Sequence, residues 1–271
     1  MRAADAATNA AAACPICSGR RLHPVVRKDA WTVYRCAACT NGFLAGARAG
    51  EGSRERLDWF QRTPEPRGTL RRRWRAVEKA WKKLLFGGAF EARKLRRVLR
   101  WRDGGRLLDI GCAKGEFLNV ARRHFDVQGV EVSATALKEA RAILGPRVFA
   151  GDLLEANFPE ASFDVITLFS TVEHLAEPVA VLQECRRLLR DGGNLVIKTP
   201  NFSSLNRRLL RGGWSGYKLP EHCFFFSPRG IQRLFLRAGL EPLPSPWLDR
   251  HPLSDSMYAY ARKGRDGGGG A

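Results

Sequence analysis

One segment constrains the fold more than any other: Leu107-Leu108-Asp109-Ile110-Gly111-Cys112-Ala113-Lys114-Gly115-Glu116-Phe117. An apolar run of strand character enters a glycine-punctuated turn and leaves it as a helix. Glycine omits the side chain where backbone must come close to a ligand, and the N–H groups opening the helix offer a positive dipole end to a carboxylate or phosphate. The glycines are spaced G-x-x-x-G. They match neither the dinucleotide fingerprint G-x-G-x-x-G nor the P-loop with its Gly-Lys-Ser/Thr ending. A second apolar run, Val127 to Val130, ends in Glu131, close to 20 residues on. A carboxylate at that place can accept both hydroxyls of a ribose, so the pair of elements predicts a nucleoside cradle.

The alternation continues beyond this pair. Apolar runs at Val148 to Ala150, Val165 to Phe169 and Leu195 to Lys198 are separated by helical patterns, which predicts a parallel sheet wrapped by helices. Ser133 is placed to cap a helix running through Ile143, with Gly145-Pro146 as its stop. A helix from Val179 to Leu189 carries Leu182, Cys185 and Leu189 on one face and should end at Gly192-Gly193. Ser227 is placed to cap another, with Pro228 at its first position and Ile231, Leu234, Phe235 and Ala238 as the buried stripe before Gly239. Met257 to Tyr260 returns as a last strand.

Two Cys-x-x-Cys knuckles, Cys14-Pro15-Ile16-Cys17 and Cys36-Ala37-Ala38-Cys39, precede all of this. Their separation lets four thiolates converge on one structural zinc ion. In so short a segment the metal replaces a missing core, and a closed set of four thiolates leaves no position for a catalytic water. Disulfides are the competing chemistry, disfavoured where no export signal is read. The Ala-rich start lacks the apolar region of a secretory signal, and no run approaches the ~18 apolar residues of a membrane span, so cytoplasmic residence is expected.

The boundaries follow: a disordered tail over 1–13, a zinc-ribbon-like module over 14–45, a basic Trp-rich connector over 46–103, the strand-and-helix domain over 104–263, and a Gly-rich tail over 264–271. The 271 residues and 44% hydrophobic content suffice for one large core plus a small module. Within the connector, Leu70, Trp74, Val77, Trp81, Leu84 and Leu85 recur at helical spacing among Arg and Lys. Such a helix can dock on the core beside the active site or lie on an anionic membrane surface. The formal charge of +19 admits a polyanionic partner, and equally a neutral drift of surface positions toward Arg.

Taken together, the Gly turn, Glu131, Gly151-Asp152 and the run Phe163-Asp164-Val165-Ile166-Thr167-Leu168-Phe169-Ser170-Thr171-Val172-Glu173-His174-Leu175 resemble class I S-adenosylmethionine-dependent methyltransferases. Lys198-Thr199-Pro200-Asn201, Trp214 and Leu219-Pro220-Glu221-His222-Cys223-Phe224-Phe225-Phe226-Ser227-Pro228 are similar to the group labelled methyltransferase domain 23. The resemblance spans roughly 104–263. It implies a Rossmann-like α/β fold with a mostly parallel seven-stranded sheet, helices on both faces, and S-adenosylmethionine as cofactor. It also implies that Asp109, Gly111 and Gly115 surround the methionine portion, that Glu131 holds the ribose, that Asp152 and Leu153 meet the adenine, and that Phe169 and Ser170 face the sulfonium. The family commonly has Gly where Ala113 stands, a change tolerated if φ there is negative.

Methyl transfer asks for alignment of the acceptor atom with the S–CH3 bond, plus removal of a proton where the acceptor is a hydroxyl or an acidic carbon. Glu173, His174 and His222 are the candidate groups for that proton, and each histidine has a purely structural alternative as a loop hydrogen-bonder. The acceptor expected is a hydroxyl or carbon of a small molecule, saccharide or glycan. Two other readings stand beside it: an RNA methyltransferase gripping phosphates with the zinc module and connector, and a non-catalytic zinc-ribbon adaptor.

Overall fold

The structure is a computed structural model, and it describes residues 13–28, 31–45 and 90–265. The expected tail over 1–13 lies almost wholly outside the described residues, as do the amphipathic stretch 70–85 and most of the C-terminal tail. Of the connector, residues 90–103 are described, and 90–99 form a helix, α1.

The large domain is built on a seven-stranded sheet in the order β10-β11-β8-β7-β4-β5-β6. Its members are β4 (Arg106–Ile110), β5 (Asp126–Glu131), β6 (Val148–Ala150), β7 (Phe163–Phe169), β8 (Leu189–Pro200), β10 (Glu241–Leu243) and β11 (Ser256–Arg262). β4, β5, β6, β7 and β8 are joined in parallel, and β11 runs antiparallel to both β8 and β10. The order steps outward from β4 in both directions. That reversal leaves a crevice at the carboxyl ends of β4, β5 and β7, where open α/β sheets take their ligands. All seven residues of β7 are buried, as a central strand covered on both faces requires.

The helices follow the sequence signals closely. α2 (Glu116–Ala121) leaves the Gly turn, and α3 (Ala134–Leu144) starts where the Ser133 Oγ accepts the Ala136 N–H. α4 (Pro178–Leu188) buries Val181, Leu182, Cys185 and Leu188. α5 (Leu205–Leu210) follows β8, and α6 (Pro228–Arg237) starts where the Ser227 Oγ accepts the Gly230 N–H at 3.0 Å. One boundary differs from expectation. Gly192 and Gly193 do not end α4, because Leu189 already pairs with Phe163 as the first residue of β8. The two glycines lie inside β8, where its register against β7 slips between Phe163 and Val165. Backbone bonds on both sides of Lys263 tie that bulge to the end of β11.

The Cys-bearing segment forms a small antiparallel sheet: β1 (Leu22–Lys28), β2 (Trp31–Cys36) and β3 (Gly42–Leu44), extended by β9 (Phe224–Phe225) from the large domain. The pairing of β3 with β9 joins the two sheets' territories through Gly42↔Phe225 and Phe43↔Phe224. Their apolar interiors merge as well. Cys14, Ile16 and Phe43 belong to the same buried cluster as Leu108, Ile110 and Leu168. α1 packs on the other face of the sheet, where Leu95 and Val98 join Leu107, Phe117 and Tyr260. The Arg97 side chain on α1, that of Arg100 just after it and the Tyr260 hydroxyl all bond the buried Asp249 carboxylate, pinning α1 to β11.

Candidate active site and four-cysteine centre

The turn after β4 is held by an acid from the neighbouring strand. The two oxygens of Glu131 each accept a backbone N–H, one from Ala113 and one from Ser133, both at 2.8 Å. The carboxylate therefore ties the Gly turn to the start of α3 and lies at the strand end expected of it. Gly111 and Gly115 adopt φ of 71° and 75°, the left-handed region that glycine enters without steric penalty. A Cβ on Gly111 would stand 2.6 Å from the Thr171 Oγ1, so the turn is closed against the loop after β7. Ala113 departs from expectation, since its φ is 48° and not negative. The bond from its N–H to Glu131 orients the peptide that way, and alanine's small side chain keeps the cost near 1–2 kcal/mol.

Asp109, the last residue but one of β4, is 3% exposed. Burial raises its carboxyl to about 7, partly offset by the Thr167 hydroxyl, which donates to it at 2.6 Å. Asp152 caps a short 3-10 turn, accepting the Leu154 N–H at 3.0 Å, and Leu153 behind it is buried. Phe169 meets Phe117 edge to face at 4.8 Å, and the Lys94 ammonium on α1 stands 5.2 Å from the Phe169 ring centre. Ser170 follows with a φ of 59° and an exposed side chain. The structure thus brings Asp109, Gly111, Gly115, Glu131, Phe169 and Ser170 to the ends of three adjacent strands, β4, β5 and β7, with Asp152 and Leu153 following the adjoining β6.

A cavity of about 180 Å³ opens beside Ser170, and Glu173, His174 and His222 all line it. Sequence spacing alone could not bring His222 to this place. It arrives because the loop before β9 folds back over the turn after β7, where the Cys223 N–H donates to the Glu173 carbonyl at 2.8 Å. The His174 Nδ1 lies 3.0 Å from the Glu221 carbonyl, and the His222 Nδ1 lies 2.8 Å from the Gly216 carbonyl. A carbonyl only accepts, so each Nδ1 carries the proton and each neutral ring keeps its lone pair on Nε2. Burial lowers both imidazoles, with His222 at about 3, where the neighbouring His174 adds to the effect. Burial raises Glu173 to about 7, against the hydrogen bond its Oε2 accepts from the Thr199 hydroxyl at 3.0 Å. Lys218 and Asp255 also line the cavity. Neither was singled out from sequence, because neither sits in a spacing that marks chemistry. Thr199 was visible only as part of the Lys198 to Asn201 run.

The four cysteines converge as their spacing predicts. Their sulfurs all lie within 4.8 Å of one another, with Cys14 and Cys39 at 3.6 Å and Cys17 and Cys36 at 3.5 Å. These distances are far beyond a disulfide's ~2.05 Å. They approach the ~3.8 Å edge of a tetrahedron with ~2.3 Å metal–sulfur bonds. The Cys14 thiol is lowered to about 5, chiefly by its contact with Cys39. The donor set is compatible with zinc.

A family model described as Methyltransferase domain matches residues 80–245. The chain belongs to this methyltransferase family. The ubiquinone biosynthesis O-methyltransferase of Cereibacter sphaeroides is 32% identical over 167 residues, which cover 56% of this chain and 66% of the relative. That of Ralstonia nicotianae is 28% identical over 165 residues, covering 56% of this chain and 69% of the relative. Among solved structures, a SAM-dependent methyltransferase from Archaeoglobus fulgidus superposes with a TM-score of 0.54 at 20% identity, covering 69% of this chain and 99% of that one. A SAM-bound amino pentose methyltransferase from Micromonospora echinaspora gives 0.50 at 20% identity, covering 69% and 96%. These likenesses establish the Rossmann-like methyltransferase fold. The methyltransferase is an enzyme with S-adenosylmethionine as its methyl donor. Among the described residues no helix is long and apolar enough to cross a membrane.

Proposed function

We propose that this methyltransferase transfers a methyl group to a hydroxyl of a small-molecule acceptor bound in the cavity beside Ser170. The observation that carries the reading is the placement of an Nε2 lone pair and a buried carboxylate, those of His174 and Glu173, around that cavity. Support for a hydroxyl comes from the relatives, which are named as O-methyltransferases.

S-adenosylmethionine supplies, when bound, a methyl group already activated by the sulfonium. Asp109, Gly111 and Gly115 would surround its methionine portion, Glu131 the ribose, Asp152 and Leu153 the adenine, and Phe169 and Ser170 the sulfonium. Glu131 keeps lone pairs beyond the two it gives to Ala113 and Ser133, free to accept from a ribose.

The remaining work falls to the chain's own side chains. His174 Nε2 takes the hydroxyl proton, and its ring is fixed by the bond to the Glu221 carbonyl. His222 packs edge-on against it and holds it in place. With its pKa near 3 it is too weak a base for the step itself. Glu173, at about 7, stands as the second proton acceptor. The alignment of acceptor and donor supplies most of the rate. We assign the four cysteines to one structural zinc ion.

The test is incubation with methyl-labelled S-adenosylmethionine and cell extract, followed by fractionation. Label recovered as a methyl ether in the small-molecule or lipid fraction supports the assignment. Label confined to RNA or protein, or no transfer at all, overturns it.

A further inference from the structure

We infer that Thr40 and Asn41, which follow directly on the second Cys knuckle, are positioning residues for the acceptor pocket, coupling the four-cysteine centre to the loop that carries His222. The inference builds on the reading that this pocket holds the acceptor.

The connection can be followed atom by atom. Within the knuckle, the Thr40 N–H donates to the Cys36 carbonyl at 3.0 Å and the Cys36 N–H to the Asn41 carbonyl at 2.9 Å. The turn thus closed places Thr40 at a φ of 65°, an uncommon conformation for a β-branched residue. From there its hydroxyl reaches the Ser227 hydroxyl at 2.6 Å. Asn41 is fully buried, and its Oδ1 accepts the Ser227 N–H at 3.2 Å. The fit is close on the far side too, since a Cβ at Gly230 would fall 1.6 Å from that same Oδ1. Ser227 lies just beyond β9 and caps α6, so the knuckle grips the chain between β9 and the helix.

On the other side of β9, the end of the loop that carries His222 is held by β3. The Leu44 N–H donates to the Cys223 carbonyl at 2.9 Å, and the Cys223 N–H donates to the Glu173 carbonyl. His222 is therefore the neighbour of a residue clamped between the Cys module and the turn after β7. The residues assigned to the cofactor sit on β4 to β7 and the turns after them, and among the described residues no hydrogen bond joins them to Thr40 or Asn41. A four-cysteine centre that keeps its turn closed would keep the pocket wall in place, and one that loosens would release the wall first.

The experiment uses the full zinc-loaded chain with nitrogen-15-labelled histidine. Among the described residues, His174, Glu173 and Lys218 face His222, and Asp255 lines the same cavity. In the parent protein the His222 ring should stay in its neutral Nδ1–H form down to about pH 4. In Asn41→Ala and in Thr40→Val its titration should move at least one pH unit toward the ordinary histidine value, while affinity for S-adenosylhomocysteine by calorimetry changes less than twofold. Thr40→Ser keeps the hydroxyl and should restore the parent titration. An unchanged His222 signal in both variants overturns the inference, and so does a loss of S-adenosylhomocysteine binding in the milder Thr40→Val, which would mark a general effect on folding. Neither readout needs an acceptor. Failure to find a methylated hydroxyl would leave this coupling standing, and failure of the coupling would leave the proposed reaction standing.

Discussion

The imidazoles of His174 and His222 meet edge to face, with ring centres 4.7 Å apart and planes 80° from one another. One belongs to the turn after β7 and the other to the loop before β9, and each is oriented by a backbone carbonyl. Both are held neutral by burial. Their folded pKa values lie below the ordinary 6.5, so the stability tied to the neutral form is present above pH 6.5 and is lost as pH falls through the folded values. Transfer by a His174 base should therefore be flat from about pH 7 upward and decline on acidification. A pH–rate profile whose main inflection stood above pH 8 would remove the imidazole from that role.

The buried carboxylates act in the opposite sense. Asp109 and Glu173 both stand at about 7 in the folded protein, above their ordinary 3.8 and 4.5. They favour the folded state at low pH, and that advantage is lost as pH rises through 7. Glu173→Gln removes one such group while keeping a hydrogen-bond acceptor for Thr199. Its stability relative to the parent should improve between pH 6 and pH 8, which paired denaturant titrations at the two values would reveal.

Glu131 supports the Gly turn and is assigned to the ribose, so its removal should cost binding first. Charge-assisted hydrogen bonds contribute about 1.5–3 kcal/mol each. Glu131→Ala should weaken S-adenosylmethionine binding by at least about tenfold. Calorimetry on the folded variant checks this, and an unchanged affinity would remove Glu131 from the cofactor site.

Gly111 combines a φ of 71° with a Thr171 contact that a Cβ would violate at 2.6 Å. Gly111→Ala should destabilise the protein by about 1–3 kcal/mol through strain at that turn. Thermal unfolding of the variant beside Gly115→Ala, where a Cβ would meet Leu144 at a looser 3.0 Å, should show the larger loss at position 111.

Asp249 gathers Arg97, Arg100 and the Tyr260 hydroxyl at a site 3% exposed. Removing one partner of a buried charge network costs about 3–5 kcal/mol. Asp249→Ala should lower the melting temperature and raise proteolytic cleavage within residues 90–99, measured by limited digestion, as α1 leaves the sheet.

Periodicity and capping residues carried most of the helices and strands. Ser133, Ser227 and Pro228 mark helix starts through local chemistry that needs no tertiary partner, and the structure places helices where they stand. Gly192 and Gly193 misled because a glycine pair reads the same at a helix stop and in a strand bulge. The choice was made by Leu189 pairing with Phe163, a contact outside any sequence window. The φ of Ala113 lay equally beyond local pattern, since a carboxylate on another strand sets it.

The sequence by itself determined the α/β alternation, the Gly turn with Glu131 at the next strand end, and the four-cysteine knuckles, because each follows from spacing along one stretch of chain. Only the tertiary structure decided that His222 joins Glu173 and His174 around one cavity, and that the Cys-bearing sheet takes β9 as its fourth strand. Both depend on the chain around β9 folding back across the domain, where hydrogen bonds of Cys223 with Glu173 and Leu44 before the strand, and of Ser227 with Asn41 after it, hold it. Partners so distant in sequence are selected by packing, and local pattern carries no record of them.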